Sequence, residues 1–97
     1  MAQIVYSKTA LDNLERAFEF IAGHDPKAAM AAADVICGAV KALANHPLIG
    51  RVVEGELREL VISYGKTGYV ALYRFLPVQD QIRILAIRHQ RELDYPQ

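Results

Sequence analysis

The sequence predicts an α+β fold: a four-stranded antiparallel sheet with a helical hairpin on one face, in the order β-α-α-β-β-β. Three observations predict it. Apolar residues recur at three- and four-residue spacing in two runs between residues 7 and 45, which is a helical period. Three β-rich runs follow between residues 57 and 89, separated by turn-rich segments of hairpin length. One short β-rich stretch precedes the helices. A helix pair has one apolar stripe and must bury it, and a sheet face is the available surface. With 97 residues there is room for a single core, so residues 1–97 read as one domain.

The first strand is "AQIVYS", at about residues 2–6, and Ser7 is suited to cap the helix that follows. In that helix Leu11, Leu14, Phe18 and Ile21 form the stripe, with Ala10 and Ala17 beside them. Asp12, Glu15, Arg16 and Glu19 take the other side, and Gly23 marks the end. Asp25 then caps a second helix with Pro26 at its first position, running to about Asn45. Its stripe is Ala29, Ala33, Ile36, Val40 and Leu43, and its many alanines let the first helix approach closely. Leu14, Phe18, Ile21, Ile36, Val40 and Leu43 are the expected helical core. "LIGRVVEGE" reads as a loop. "LRELVISY" (57–64), "GYVALYRFL" (68–76) and "QIRILAIRH" (81–89) read as strands of a meander. The helical hairpin returns the chain to the end it left, so the second strand is expected antiparallel beside the first.

The last two strands are apolar on both faces. Tyr69, Ala71, Tyr73 and Phe75 alternate with Val70, Leu72 and Leu76, while Ile82, Ile84 and Ala86 alternate with Leu85 and Ile87. Two helices cover only one face of a sheet. The other face calls for the chain's own loop and tail, a second copy, or a protein partner.

Composition narrows the function classes. Net charge is zero, so no bulk field draws the chain to nucleic acid. Six of the seven arginines lie in the second half, which places the interaction surface there. Cys37 has no partner for an internal disulfide, which fits a reducing compartment, and its neighbours Ile36 and Val40 suggest a core position. The most apolar segment, "AAMAAADVICGAV", is short and interrupted by Asp34, and no signal peptide is read at the N-terminus, so a cytoplasmic protein without membrane contact is expected. His24, His46 and His89 are far apart with no ligand at metal spacing, and neither a nucleophile elbow nor a phosphate-cradling glycine loop is present. No metal or cofactor is therefore expected.

Candidate chemistry concentrates in "RILAIRHQRELDY". Arg88, His89 and Arg91 follow the last strand, and Tyr95 comes four residues later. Neighbouring cations favour a neutral His89, suited either to general-base work or to a hydrogen bond that pins the tail. A metal-free ribonuclease needs cations for the phosphorane charge and an acid and a base near the ribose 2′-hydroxyl. Arg51, Arg58, Arg74, Arg91, His89 and Tyr95 are of those types. Glu54, Glu56, Glu59, Glu92 and Asp94 are interleaved with them, which weakens binding to a polyanion and suits contact with a protein.

The segments "TALDNLERAFEFIA", "DPKAA", "HPLIGR", "LREL", "GYVALYRF" and "IRILAIRHQRE", in this order over nearly the whole chain, resemble the RelE/ParE superfamily of toxins from type II toxin–antitoxin modules. The resemblance implies the β-α-α-β-β-β fold and a cognate antitoxin whose C-terminal segment wraps the toxin. Operator DNA would be met only through the antitoxin complex. It also implies one of two activities, poisoning of DNA gyrase without cleavage (ParE-like) or cutting of mRNA in the ribosome (RelE-like). RelE-like members tend to carry lysines in the loop after the second helix and an arginine early in the third strand. Here the loop has Arg51 and no lysine, and the strand position is Val70, which favours the ParE-like branch. The expected target-binding residues are then Arg88, His89, Arg91, Arg51 and Arg74, and the antitoxin-binding ones Leu72, Leu76, Leu85 and Ile87. The nuclease alternative would use Arg51, Arg74, His89, Arg91 and Tyr95. A non-toxic binding module of the same fold is a third reading.

Overall fold

The computed structural model describes residues 1–65, 67–92 and 94–95. The chain runs β1 (Gln3–Tyr6), α1 (Lys8–Ala22), α2 (Pro26–Lys41), a 3-10 turn (Ala42–Ala44), β2 (Arg51–Glu54), β3 (Leu57–Tyr64), β4 (Thr67–Leu76) and β5 (Gln81–His89). The fold class is the expected α+β one, but the sheet has five strands in the order β1-β5-β4-β3-β2. The additional strand is β2, in the segment read as a loop. Gly55, at φ 53°, makes the tight turn into β3. The second correction follows from the first. One more reversal of direction brings β5 back parallel to β1, and the two pair from Gln3–Gln81 to Tyr6–Ile84. The sheet is therefore mixed, and β1 lies beside the last strand rather than the second.

The helix ends are set by the expected caps. Ser7 Oγ accepts from the Ala10 N–H (3.0 Å), and Asp25 Oδ1 accepts from those of Lys27 (3.1 Å) and Ala28 (3.2 Å), with Pro26 at the first position where its missing N–H costs nothing. The buried stripe of α1 lies about one residue away from the expected one. Ala10 and Asn13 are buried, Leu14, Ala17 and Ile21 half-buried, while Leu11 and Phe18 are exposed at 52% and 39%. Small residues at the centre let α1 lie close to the sheet, which pushes the larger side chains to the rim. On α2, Ala29, Ala32, Ile36 and Val40 are buried, and Leu43 follows in the 3-10 turn. Cys37 is exposed rather than in the core.

The core lies between the hairpin and one face of the sheet, where Ile62, Tyr69, Ala71, Tyr73, Ile82, Ile84 and Ile87 meet Ala10, Ile36, Val40 and Leu43. Tyr73 is sealed, and its hydroxyl donates to Pro47 O (2.8 Å) and accepts from the Gly50 N–H (2.9 Å). A Cβ on Gly50 would sit 2.6 Å from that hydroxyl, so the residue must be glycine for the loop to reach the ring.

Where β1 stops, α1 takes over the edge of β5. The Ser7 N–H donates to Ile84 O (2.9 Å), Ser7 Oγ donates to Leu85 O (2.9 Å), and Asn13 Oδ1 accepts from the Ile87 N–H (2.9 Å). Backbone groups that have lost a ladder partner must find another, and these side chains supply it.

Candidate functional site

A register shift in β5 decides which residues share a face. Leu72 pairs with Ala86 and Tyr73 with Ile84, so Leu85 is the inserted residue of a bulge. Strand alternation restarts beyond it. Ile84 and Ile87 both point at the helices, and Leu85 and Ala86 lie between them on the open face. Ile87 is thus a core residue, only 2% exposed, and it is not available as antitoxin-binding surface. Leu72, Leu76 and Leu85 do lie half-buried on the open face.

The same shift divides the C-terminal cluster. Val70 pairs with Arg88 and Tyr69 with His89, so Arg88 belongs to the open face and His89 to the helix side. The His89 ring stacks edge-on against Tyr69. Its Nδ1 accepts from the Arg91 N–H (3.1 Å), which leaves the ring proton on Nε2, 2.6 Å from Thr67 Oγ1. Both nitrogens are engaged, one with the tail at Arg91 and one with Thr67 at the start of β4. Arg91 lies exposed on the turn beyond β5. Arg58 is tied to the loop before β2, donating to Leu48 O (3.0 Å) and Gly50 O (2.8 Å).

The open face has a centre that the sequence reading named only as an interfering charge. Glu59, on β3, pairs with Arg51 of β2 on one side and Leu72 of β4 on the other. It is 7% exposed. Its Oε1 accepts from Arg51 Nε (3.1 Å) and Nη2 (2.8 Å), and its Oε2 accepts from the Tyr95 hydroxyl (2.6 Å) with Arg88 Nη2 at 3.7 Å. The Arg88 guanidinium sits 5.1 Å from the centre of the Tyr95 ring and donates through Nη1 to Glu92 O (2.8 Å). Tyr95 thus closes the cluster from the tail. Arg74 shares the face but is held by Glu56 (2.8 Å), and its Nε is buried with no hydrogen-bond partner among the described residues. The signal for Glu59 was an acid in a β-rich run between Leu57 and Val61 on the same face, and the arginines needed to satisfy it come from distant strands.

Electrostatics follow from this packing. Burial alone would raise the Glu59 carboxyl, but the hydrogen bonds from Tyr95 and Arg51 and the charges of Arg51 and Arg88 outweigh it and hold the group below the ordinary glutamate value. Burial, then the bond to Glu59, pushes the Tyr95 phenol far above its ordinary value.

A second concavity, of about 400 Å³, opens where α1 diverges from the sheet, lined by Asn13, Arg16, Ala17, Phe20, Tyr69, Ile87, Arg88, His89 and Glu92. It is mostly apolar. Among the described residues no three His, Cys, Asp or Glu side chains converge as a metal site, and no helix is long and apolar enough to cross a membrane.

The family model described as the ParE toxin of the type II toxin–antitoxin system parDE matches residues 4–94. The chain belongs to this family. It is a toxin of the ParE/RelE superfamily of type II toxin–antitoxin systems. Two curated relatives from Caulobacter vibrioides are Toxin RelE3, 34% identical over 95% of this chain and 98% of the relative, and Toxin RelE2, 33% identical over 96% and 100%. Two solved structures share the fold. The chromosomal ParDE system from P. aeruginosa superposes with a TM-score of 0.73 at 22% identity, covering 92% of this chain and 96% of that one. The RelBE2 toxin–antitoxin complex from Mycobacterium tuberculosis superposes with a TM-score of 0.57 at 23% identity, covering 91% and 96%.

Proposed function

We propose that this toxin inhibits DNA gyrase by binding through the open face of its sheet and its C-terminal turn, cuts no nucleic acid, and is neutralised by a cognate antitoxin. The observation that carries this reading is the saturation of Glu59. A general base needs a free lone pair and a proton affinity matched to neutral pH. Glu59 accepts two guanidinium N–H groups on one oxygen and a phenol on the other, and its carboxyl is held low. Tyr95 is held too high to give up a proton readily, and both nitrogens of His89 are engaged. The cations are engaged as well: Arg51 and Arg88 face Glu59 and Arg74 faces Glu56. Such a surface offers polyanionic RNA little net charge, whereas a patterned protein surface can read its alternating signs. Arg51, Arg74, Arg88 and Arg91 are the target-contacting residues in this reading, and His89 shapes the turn that presents Arg91.

The antitoxin would cover the apolar part of the same face, Leu72, Leu76 and Leu85, and so exclude the target by occupancy. Two relatives named RelE favour a second reading, ribosome-dependent mRNA cleavage with Arg51, Arg74, His89, Arg91 and Tyr95 around the message. Purified protein added separately to gyrase supercoiling and to cell-free translation discriminates the two. Inhibited supercoiling with intact message is the expected result. Cleaved ribosome-bound message with gyrase unaffected overturns the proposal. Arg91→Ala is expected to weaken inhibition by about 2 kcal/mol if it is a hot spot of the contact, with antitoxin binding retained.

A further inference from the structure

Glu59 is the one described acid among the buried residues of this chain, and its place is unusual for a carboxylate. It sits on β3, between the edge strand β2 and β4, on the side that no helix covers. Its two oxygens collect groups from three separate parts of the chain: Arg51 from the edge strand, Arg88 from the end of β5, and Tyr95 from the tail. Each of the three is also anchored elsewhere or shaped by the others. Arg88 is 14% exposed in its side chain, lies over the Tyr95 ring, and bonds the carbonyl of Glu92. Among the described tail residues, Tyr95 thus reaches back over the open face, its hydroxyl bonded to Glu59 and its ring beneath Arg88.

We propose that Glu59 is a positioning residue: its carboxylate fastens the tail through Tyr95 over the open face as a strap and fixes Arg51 and Arg88 in the single arrangement presented to the target. The identity of the target rests on the gyrase reading above, but the strap does not. The physical reason for a charged fastening is directional. A carboxylate has about four acceptor sites and can hold two guanidinium groups and a phenol at once, which an apolar contact cannot do. The network also explains why a buried acid is tolerated on a sheet face, since each carboxylate oxygen accepts a hydrogen bond and two guanidinium groups lie beside it. An unfastened tail would leave Arg88 mobile and Arg51 splayed towards solvent, with the same net charge but no fixed pattern.

The test uses the full-length chain with Glu59→Gln and Tyr95→Phe. Gln keeps the shape and removes the charge; Phe keeps the ring beneath Arg88 and removes the hydrogen bond. Amide hydrogen exchange over residues 91–95 is expected to quicken about tenfold in Glu59→Gln and by less in Tyr95→Phe, with exchange in β3, β4 and β5 unchanged. Glu59→Asp, which keeps the charge with a shorter reach, is expected to fall between Glu59→Gln and the wild type. Inhibition of supercoiling should weaken in the same rank order. Unchanged tail exchange in both Glu59→Gln and Tyr95→Phe overturns the proposal, and so does a uniform rise across the whole sheet, which would make Glu59 a general structural group. A loosened tail in variants of a wild type that leaves gyrase untouched supports the strap and removes the gyrase reading alone.

Discussion

On the helix side of the sheet, Tyr73, Ile82 and Ile84 are sealed from water under α1 and α2, and nearly every neighbour is a hydrocarbon or an aromatic ring. On the open side the most buried groups are Val70, Ala86 and a carboxylate, Glu59, and the covering material is a tail of a few residues held by one phenol and two guanidinium groups. The first face is stabilised by area removed from water, which is non-directional and tolerates exchange of one apolar side chain for another. The second is stabilised by geometry, which is weaker in total and stricter about which atom goes where. In the function proposed above, the toxin keeps its fold while offering its open face to an antitoxin and to a target in turn. Confining the directional, exchangeable contacts to the face without helices separates those two requirements.

The largest effect that sharpens this contrast is expected at Tyr73. Truncation to Ala empties the centre of the covered face and should cost about 3–5 kcal/mol, enough to unfold a domain of this size. Tyr73→Phe keeps the volume but leaves the Gly50 N–H and Pro47 O unpaired, for a loss of about 1–3 kcal/mol. Urea denaturation followed by far-ultraviolet circular dichroism measures both. A Tyr73→Phe variant as stable as the wild type would mean that the ring alone holds the loop before β2.

The open face makes the intermediate prediction, and it depends on pH. Glu59 has a folded value below its unfolded one, so the folded state prefers the ionised form. Its contribution to stability is complete above the ordinary glutamate value and is lost as pH falls through the lowered folded value. Among the described residues only Arg51, Arg88 and Tyr95 meet this carboxylate directly, and arginine and tyrosine side chains do not change charge in that acidic window. Wild-type stability should therefore fall more steeply below about pH 4.5 than that of Glu59→Gln, and the two curves should run parallel above it. Equal slopes throughout would show that the network carries no net stability.

Much of the covered face was legible in the sequence, and the open face much less so. Caps are local: Ser7, Asp25 and Pro26 could be read from single residues because each acts within one turn. β3 ends where its β-rich run ends, and β5 coincides with its run. The bulge at Leu85 left no such mark, because it arises from pairing with β4 and from Ser7 and Asn13 bonding the β5 backbone beyond the end of β1. Missing it moved Ile87 to the wrong face and put Arg88 and His89 in one cluster. β2 was missed because "RVVE" lies between two glycines and its four residues remain exposed as an edge, so no burial pattern announces it. Glu59 could not be read as a centre because its partners are 8, 29 and 36 positions away, and only the folded sheet brings them together.

The smallest effect concerns Phe18, and it decides how far the covered face extends. Helical spacing placed this ring in the core, where truncation would cost as much as at Tyr73. In the structure the ring is 39% exposed at the rim of the helical hairpin, while the positions facing the sheet belong to Ala10, Asn13 and Ala17. Phe18 borders a small space between the two helices and the sheet, with Leu14, Ala17, Ile21, Ile36, Tyr69 and the alanines of α2. Removing a ring that is already partly solvated returns only part of its transfer free energy, so Phe18→Ala should cost about 1 kcal/mol. The cavity term is small as well, because a ring exposed at the rim leaves a space that water can reach. Asn13→Ala provides the internal control. It is a smaller truncation, yet it strands the Ile87 N–H inside the core, and should cost about 1–3 kcal/mol. If denaturation midpoints show Phe18→Ala to be the more damaging of the two, α1 is rotated towards the sheet by about one residue relative to the arrangement described here, and the boundary between the two faces must be redrawn.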